Sequence, residues 1–459
     1  MNKWATCFLF YLLLKFSVAQ AQSTTLNITS SNIGSGVFNN NIPSFTANSC
    51  ATGLLGSIKL HANSDFSPTI TPSVLSAVQV SLYSVGSTTG LSGSTGPQSL
   101  STTDKSLYNS NMLIGATGSA NFNYQIPQSN ITAYAWQAGS YTTPLTFTTP
   151  GGTLCLGTST FPFTLNLNVA AFTNLSTVNA IVMNVNSFSF FTSGISATHT
   201  LSSTFTVPLG LKIASSATNF VYSNGYSGAN DPSTATGKVS AQITAPTTGT
   251  AINLSTTNQN ISPNGGYAVP VGNAQSNTVT YAVSAANLVS SFIQAGTYTT
   301  TLNYLASNAS DGTSPSTQNT TLTLNVSNMG SLVVNDPSVS LSFNSLTDYQ
   351  NGVSVNMPNH LSISNTAAYD VYVKASGNLI NGSSSLPIAA IKVGPGTSQT
   401  GVTAINLTTT AQKIISAATP VINRNVAIQY SIAAGSVSQL MGNPAGTYNT
   451  TITYSFVAP

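Results

Sequence analysis

The 459-residue sequence carries ten Lys plus Arg, seven Asp and no Glu, so charged residues make up only 4%, against roughly 25% in an ordinary soluble domain. A surface so poor in charge has no clustered field to steer a polyanion, which argues against a nucleic-acid partner. It also lacks one of the defences that keep sheet edges apart, while 41% apolar residues with 18 Tyr and 19 Phe argue against a disordered chain.

The chain opens as an export signal. Lys3 supplies a positive start, an apolar stretch follows at 5–14, and Ala19-Gln20-Ala21 fits a cleavage site, which defines a signal peptide at 1–21. Lys15 interrupts an apolar run already short for a membrane span. The mature chain then starts at Gln22 with eight cations against seven carboxylates, and it keeps two cysteines, Cys50 and Cys155. An even count in an exported chain predicts a disulfide between them. Closing a loop of about one hundred residues would contribute roughly 4–5 kcal/mol in the chain-entropy account.

Period-2 alternation of Thr, Tyr and aliphatic residues then runs through the chain, and it predicts strands. A first unit spans 22–153, with strands at 24–28, 54–60, 77–83 and 122–126 and a Ser/Gly/Thr-rich loop at 84–105. Cys50–Cys155 would staple its end. A second unit spans 154–308, beginning with the alternating Phe163, Leu165, Leu167 and Val169. Asp311-Gly312 and Pro315 mark 309–317 as a linker. A third unit spans 318–459, from the strand at 321–326 to the end. Seven or eight strands in the third unit, with turns between them, fit a β-sandwich, and the chain reads as all-β, with tandem immunoglobulin-like, Greek-key β-sandwich domains.

One stretch supports the count of three. Ala138-Gly139-Ser140-Tyr141, Ala295-Gly296-Thr297-Tyr298 and Ala445-Gly446-Thr447-Tyr448 each open a strand, with glycines 157 and 150 residues apart. In the third copy Tyr448, Thr450, Ile452 and Tyr454 share the face expected to be core, and the strand is expected to close its domain. A second match, 211–222 against 361–372, has the same offset of 150. Pro144 interrupts the first copy, which suggests an edge or bulge.

Chemistry is sparse. His61, His199 and His360 stand alone, and no metal-binding spacing occurs. No G-x-S-x-G elbow, phosphate loop or calcium loop is present, and a glycosidase pair would need distant Asp residues brought together. No catalytic, metal or cofactor residues are assigned, so the expectation is a non-enzyme. For glycans, Trp136 and Tyr226 are the candidate aromatic platforms; for Trp136, and for Phe292 at the equivalent place, the competing role is core packing.

The signal peptide, the Thr/Asn-rich strands and the final Gly446-Thr447-Tyr448 strand together resemble bacterial surface and fimbrial proteins of the spore-coat-protein-U type. That resemblance implies an exported structural or adhesive protein of the cell envelope or extracellular surface, with self-association or other envelope proteins as partners. The alternative is a secreted array of carbohydrate-binding modules recognising surface glycans, and a third is a secreted hydrolase using Asp residues.

Overall fold

The structure, a computed structural model, describes residues 22–47, 56–86, 88–89, 92–110, 118–149 and 159–457. The signal peptide at 1–21, Cys50, Cys155 and the disulfide expected between them lie outside the described residues. The described chain is all-β, as its β-branched and aromatic alternation requires. Its longest α-helix, Ala285–Ser291, has seven residues.

Three buried clusters organise the strands, and each draws on two sheets. The first fills with residues from Leu26 to Val169. One of its sheets runs Gln22–Ile28, Ser159–Val169, Gly139–Thr149, Gly56–Ala62, Lys105–Ser110 in spatial order; the other is built on Val37–Ala47, Gly118–Ile126 and Gln79–Val85. The second cluster runs from Leu175 to Val326. Its sheets are Ile181–Val185, Ser316–Val326, Gly296–Asn308, Leu209–Ser215 with two short further strands, Gln259–Asn260 and Val221–Asn224, and a sheet centred on Ile195–Phe205, Ala274–Val283 and Ser240–Ala245. The third cluster runs from Met357 to Val437. One sheet is centred on Gly352–Asn365 and Val421–Ala433; the other has only Gln412–Ala418, Tyr369–Ala375 and Ile452–Val457.

The strand alternation was legible, but strand ownership was not. Ser159–Val169, expected to open the second unit, pairs antiparallel with Gly139–Thr149 and parallel with Gln22–Ile28. Its Phe163, Leu165, Leu167 and Val169 complete the first cluster. Ser316–Val326, expected to open the third unit, likewise pairs with Gly296–Asn308 and Ile181–Val185. Both strands thus pair backward across the boundaries expected at 153/154 and 308–318, and the connectors 170–172 and 327–329 follow them. The stretch 309–317 is a hairpin turn and not a linker, and Asp311 Oδ1 accepts from the Thr313 amide and hydroxyl there.

The offset-150 match also dissolves. Leu211 lies in Leu209–Ser215, beside the G-T-Y strand, whereas Leu361 lies in Gly352–Asn365, in the other sheet of its unit. Any two alternating strands can match at this level. Pro144 occupies a bulge and not an edge: the neighbouring chain leaves the ladder after Ala62 and regains it at Ser67 opposite Thr142.

The G-S/T-Y stretch forms the same corner three times. Tyr141 donates to the Gln137 carbonyl at 3.0 Å, Tyr298 to Gln294 at 2.8 Å and Tyr448 to Pro444 at 2.8 Å. This is the tyrosine corner of immunoglobulin-like sheets. The glycines hold φ of 158°, 153° and 155°, and a Cβ on Gly296 would lie 2.3 Å from the Tyr222 ring. Tyr298→Phe should destabilise the chain by roughly 1 kcal/mol, because it removes the hydrogen bond from a buried tyrosine to a half-buried carbonyl. Tyr448→Phe, at a half-exposed corner, should cost less. Chemical denaturation of the two variants checks this ordering.

Candidate functional site

The sequence-predicted site residues do not converge. Trp136 is 0% exposed. Its indole N–H donates to the Ile131 carbonyl at 2.9 Å, while its backbone exchanges two hydrogen bonds with the Asn273 side chain of the second unit. With no ring face open, the glycan platform expected there is not formed, and Phe292 is buried in the same way. Tyr226 is half-buried. Burial and the nearby Tyr222 raise its hydroxyl's pKa, against the lowering effect of the Ala368 backbone of the third unit. Trp136 and Tyr226 thus stand at successive joints between units.

The structure brings together one pair that the sequence hides. His61 Nδ1 lies 2.8 Å from Asp104 Oδ1, with Lys59 at 4.0 Å from the same carboxylate. No hydroxyl hydrogen-bonds to the other ring nitrogen among the described residues, so the pair lacks a nucleophile. Among the described residues no group of three or more His, Cys or Asp could hold a metal ion. A cleft of about 420 Å³ between the second and third units is lined by Ser, Thr and Pro with Lys238 as its one charge. No helix of the described residues is long and apolar enough to cross a membrane.

The feature that departs from the repeated plan is a sheet edge. In the first unit Gly139–Thr149 lies between Gly56–Ala62 and Ser159–Val169; in the second, Gly296–Asn308 lies between Leu209–Ser215 and Ser316–Val326. In the third, Ile452–Val457 pairs with Tyr369–Ala375 on one side only. Among the described residues nothing is paired on its other side.

The side chains record the difference. Tyr141, Thr143, Leu145 and Phe147 are buried against Leu167, Leu165, Phe163 and Phe161, their partners in register. Tyr298, Thr300, Leu302 and Tyr304 are buried in the same way. Their counterparts Tyr448, Thr450, Ile452 and Tyr454 alternate onto one face as expected, but all four are half-exposed, as is Phe456. Val339, Leu341 and Phe343 also alternate, half-buried against the third cluster, without a ladder. They precede the short helix Leu346–Asn351 and the strand Gly352–Asn365. Ile181–Val185, the first strand beside the closing strand of the second unit, has the same place before its own short helix.

Beneath this edge lies a polar cluster. The Tyr430 and Tyr454 hydroxyls are 2.6 Å apart, and His360 Nε2 is 2.9 Å from Tyr430. Burial pushes the Tyr430 hydroxyl up to about 12 and holds the His360 imidazole below its usual range, although Asp336 pulls it back up. His199, near Tyr304 in the second unit, is lowered by burial too. The first unit has Ser44 on Tyr124 instead. Below about pH 6.5 the unfolded chain protonates histidines that the folded chain keeps neutral, so stability falls as pH drops. The unfolding midpoint should decline between pH 7.5 and 5.5, and His360→Gln should flatten that decline; a parallel curve for the variant would show that His360 does not contribute.

No family model and no curated protein sequence matches the chain. Among solved structures, it is similar to CfaE, the adhesive subunit of CFA/I fimbria of enterotoxigenic Escherichia coli, with 11% identity over 67% of this chain and 98% of that one, at a TM-score of 0.31. It is also similar to a chain of the CsuC–CsuE chaperone–tip adhesion subunit complex of Acinetobacter baumannii, with 14% identity over 62% and 99%, TM-score 0.30. A third is the CupB6 tip adhesin of Pseudomonas aeruginosa, with 10% identity over 64% and 90%, TM-score 0.26. The likeness to bacterial fimbrial adhesins is weak and partial.

Proposed function

We propose that the chain is a tandem array of three immunoglobulin-like β-sandwich units, exported to the bacterial cell surface, with a non-enzymatic structural and adhesive function. Its third unit is completed by an added strand along the open edge of Ile452–Val457. The observation that carries this reading is the face Tyr448–Thr450–Ile452–Tyr454, half-exposed where both counterparts are buried under a closing strand.

The two internal closing strands supply the template for the partner. An incoming strand would lie antiparallel to Ile452–Val457 and parallel to 339–343, with alternate apolar residues turned inward, as Leu322, Leu324 and Val326 are. Burying three or four such side chains is worth roughly 1.5–3 kcal/mol each, an upper figure because the free strand already hides some of that surface. A charge-poor surface suits such assembly, since edge pairing and apolar burial lose little to salt.

A synthetic peptide of residues 318–326 should bind the chain that starts at Gln22 and raise the unfolding midpoint of its third unit. At one hundred times its Kd it would add about 2.7 kcal/mol. The same peptide with Leu322→Ser and Leu324→Ser should do neither. Equal binding of both peptides, or of neither, would contradict the proposal.

A further inference from the structure

The two joints between units are closed by one buried residue type in one geometry. Thr206 is the first residue after the strand Ile195–Phe205, and Thr366 the first after Gly352–Asn365. They are 1% and 0% exposed. The Thr206 hydroxyl donates to the Ala170 carbonyl at 2.7 Å and accepts from the Phe172 amide at 3.1 Å. The Thr366 hydroxyl donates to Ser327 at 2.8 Å and accepts from Met329 at 2.7 Å. Each hydroxyl thereby grips the connector that follows a closing strand. Each threonine amide also donates to that connector, Thr206 to the Phe172 carbonyl and Thr366 to the Met329 carbonyl.

The threonine carbonyl does the joining. Thr206 O accepts from the Ala138 amide at 2.8 Å, and Thr366 O accepts from the Ala295 amide at 2.7 Å. Ala138 and Ala295 directly precede the repeated corner glycines, Gly139 and Gly296. The corner of one unit therefore presents an N–H that the next unit caps. In the third unit Ala445 stands at this position and is exposed. Its corner is nonetheless already formed, with Gly446 at φ 155° and Tyr448 bonded to Pro444.

We infer that the Ala445-Gly446 corner is a docking site for a further β-unit, carried by the polypeptide that donates the strand. This rests on the strand donation proposed above. The partner it fits has an alternating apolar strand, a connector of about three residues like 170–172 and 327–329, and then a unit with a buried threonine directly after the strand that follows its first short helix. The threonine carbonyl accepts the Ala445 N–H, and the assembly joint repeats the two joints inside the chain.

Two extended chains serve as probes. In one, a second copy of residues 310–326 follows Pro459; in the other, a second copy of residues 310–457 does. Amide exchange is read at Ile452–Val457 and at Ala445. The short extension should slow exchange in the strand but leave Ala445 fast. The long one should also slow Ala445 by about tenfold, the size of one retained hydrogen bond, and Thr366→Val in the appended copy should reverse that. If neither extension protects the strand, strand donation itself fails. If both protect the strand and Ala445 exchanges equally fast in each, the docking inference alone is overturned. In the unextended chain, Thr366→Val should speed exchange of the Ala295 amide by about tenfold while leaving the strand Ala274–Val283 unchanged. An unaffected Ala295 would equally overturn the inference.

Discussion

A β-strand with one apolar face has two demands at once: its free N–H and C=O groups need a neighbouring strand, and its face needs cover. The corner strand of each unit makes these demands in the same way. Gly139–Thr149 and Gly296–Asn308 have both met by a closing strand, Ser159–Val169 and Ser316–Val326. Ile452–Val457 has one edge and half of its face met. Much of the organisation follows from this, since the closing strand also recruits an early strand of its unit, Gln22–Ile28 or Ile181–Val185, in parallel and leads directly into the next joint.

The corner links the two levels of structure. Its tyrosine holds the strand entry inside the unit, and the alanine before its glycine bonds to the following unit. A repeat that serves both intra-unit folding and inter-unit joining explains why the A-G-S/T-Y stretch is the most visible one in the chain. Among the described residues, those around it contribute hydrogen bonding and packing.

Much of this was legible in the sequence. Alternation gave the strands and the shared face of 448–454, and Asp311-Gly312 gave a turn. Strand ownership was not legible, because Phe163–Val169 and Leu322–Val326 alternate as strands do on either side of a boundary. Only the ladder shows that they look backward in sequence. The threonine locks were hidden for a different reason. In a chain so rich in Thr, nothing local separates Thr206 and Thr366 from exposed neighbours; their signal is burial with every polar group used. Trp136 was ambiguous from its position alone, and its indole bond to Ile131 resolves it as a packing residue.

The central claim is that Ile452–Val457 is an unfilled edge in a sheet whose two counterparts are closed. Residue-resolved amide exchange on the chain starting at Gln22 tests it directly. Alternate amides of Ile452–Val457 point away from Tyr369–Ala375 and should exchange rapidly, while successive amides across 297–304 all remain protected. Uniform protection along Ile452–Val457, equal to that of 297–304, would contradict the account.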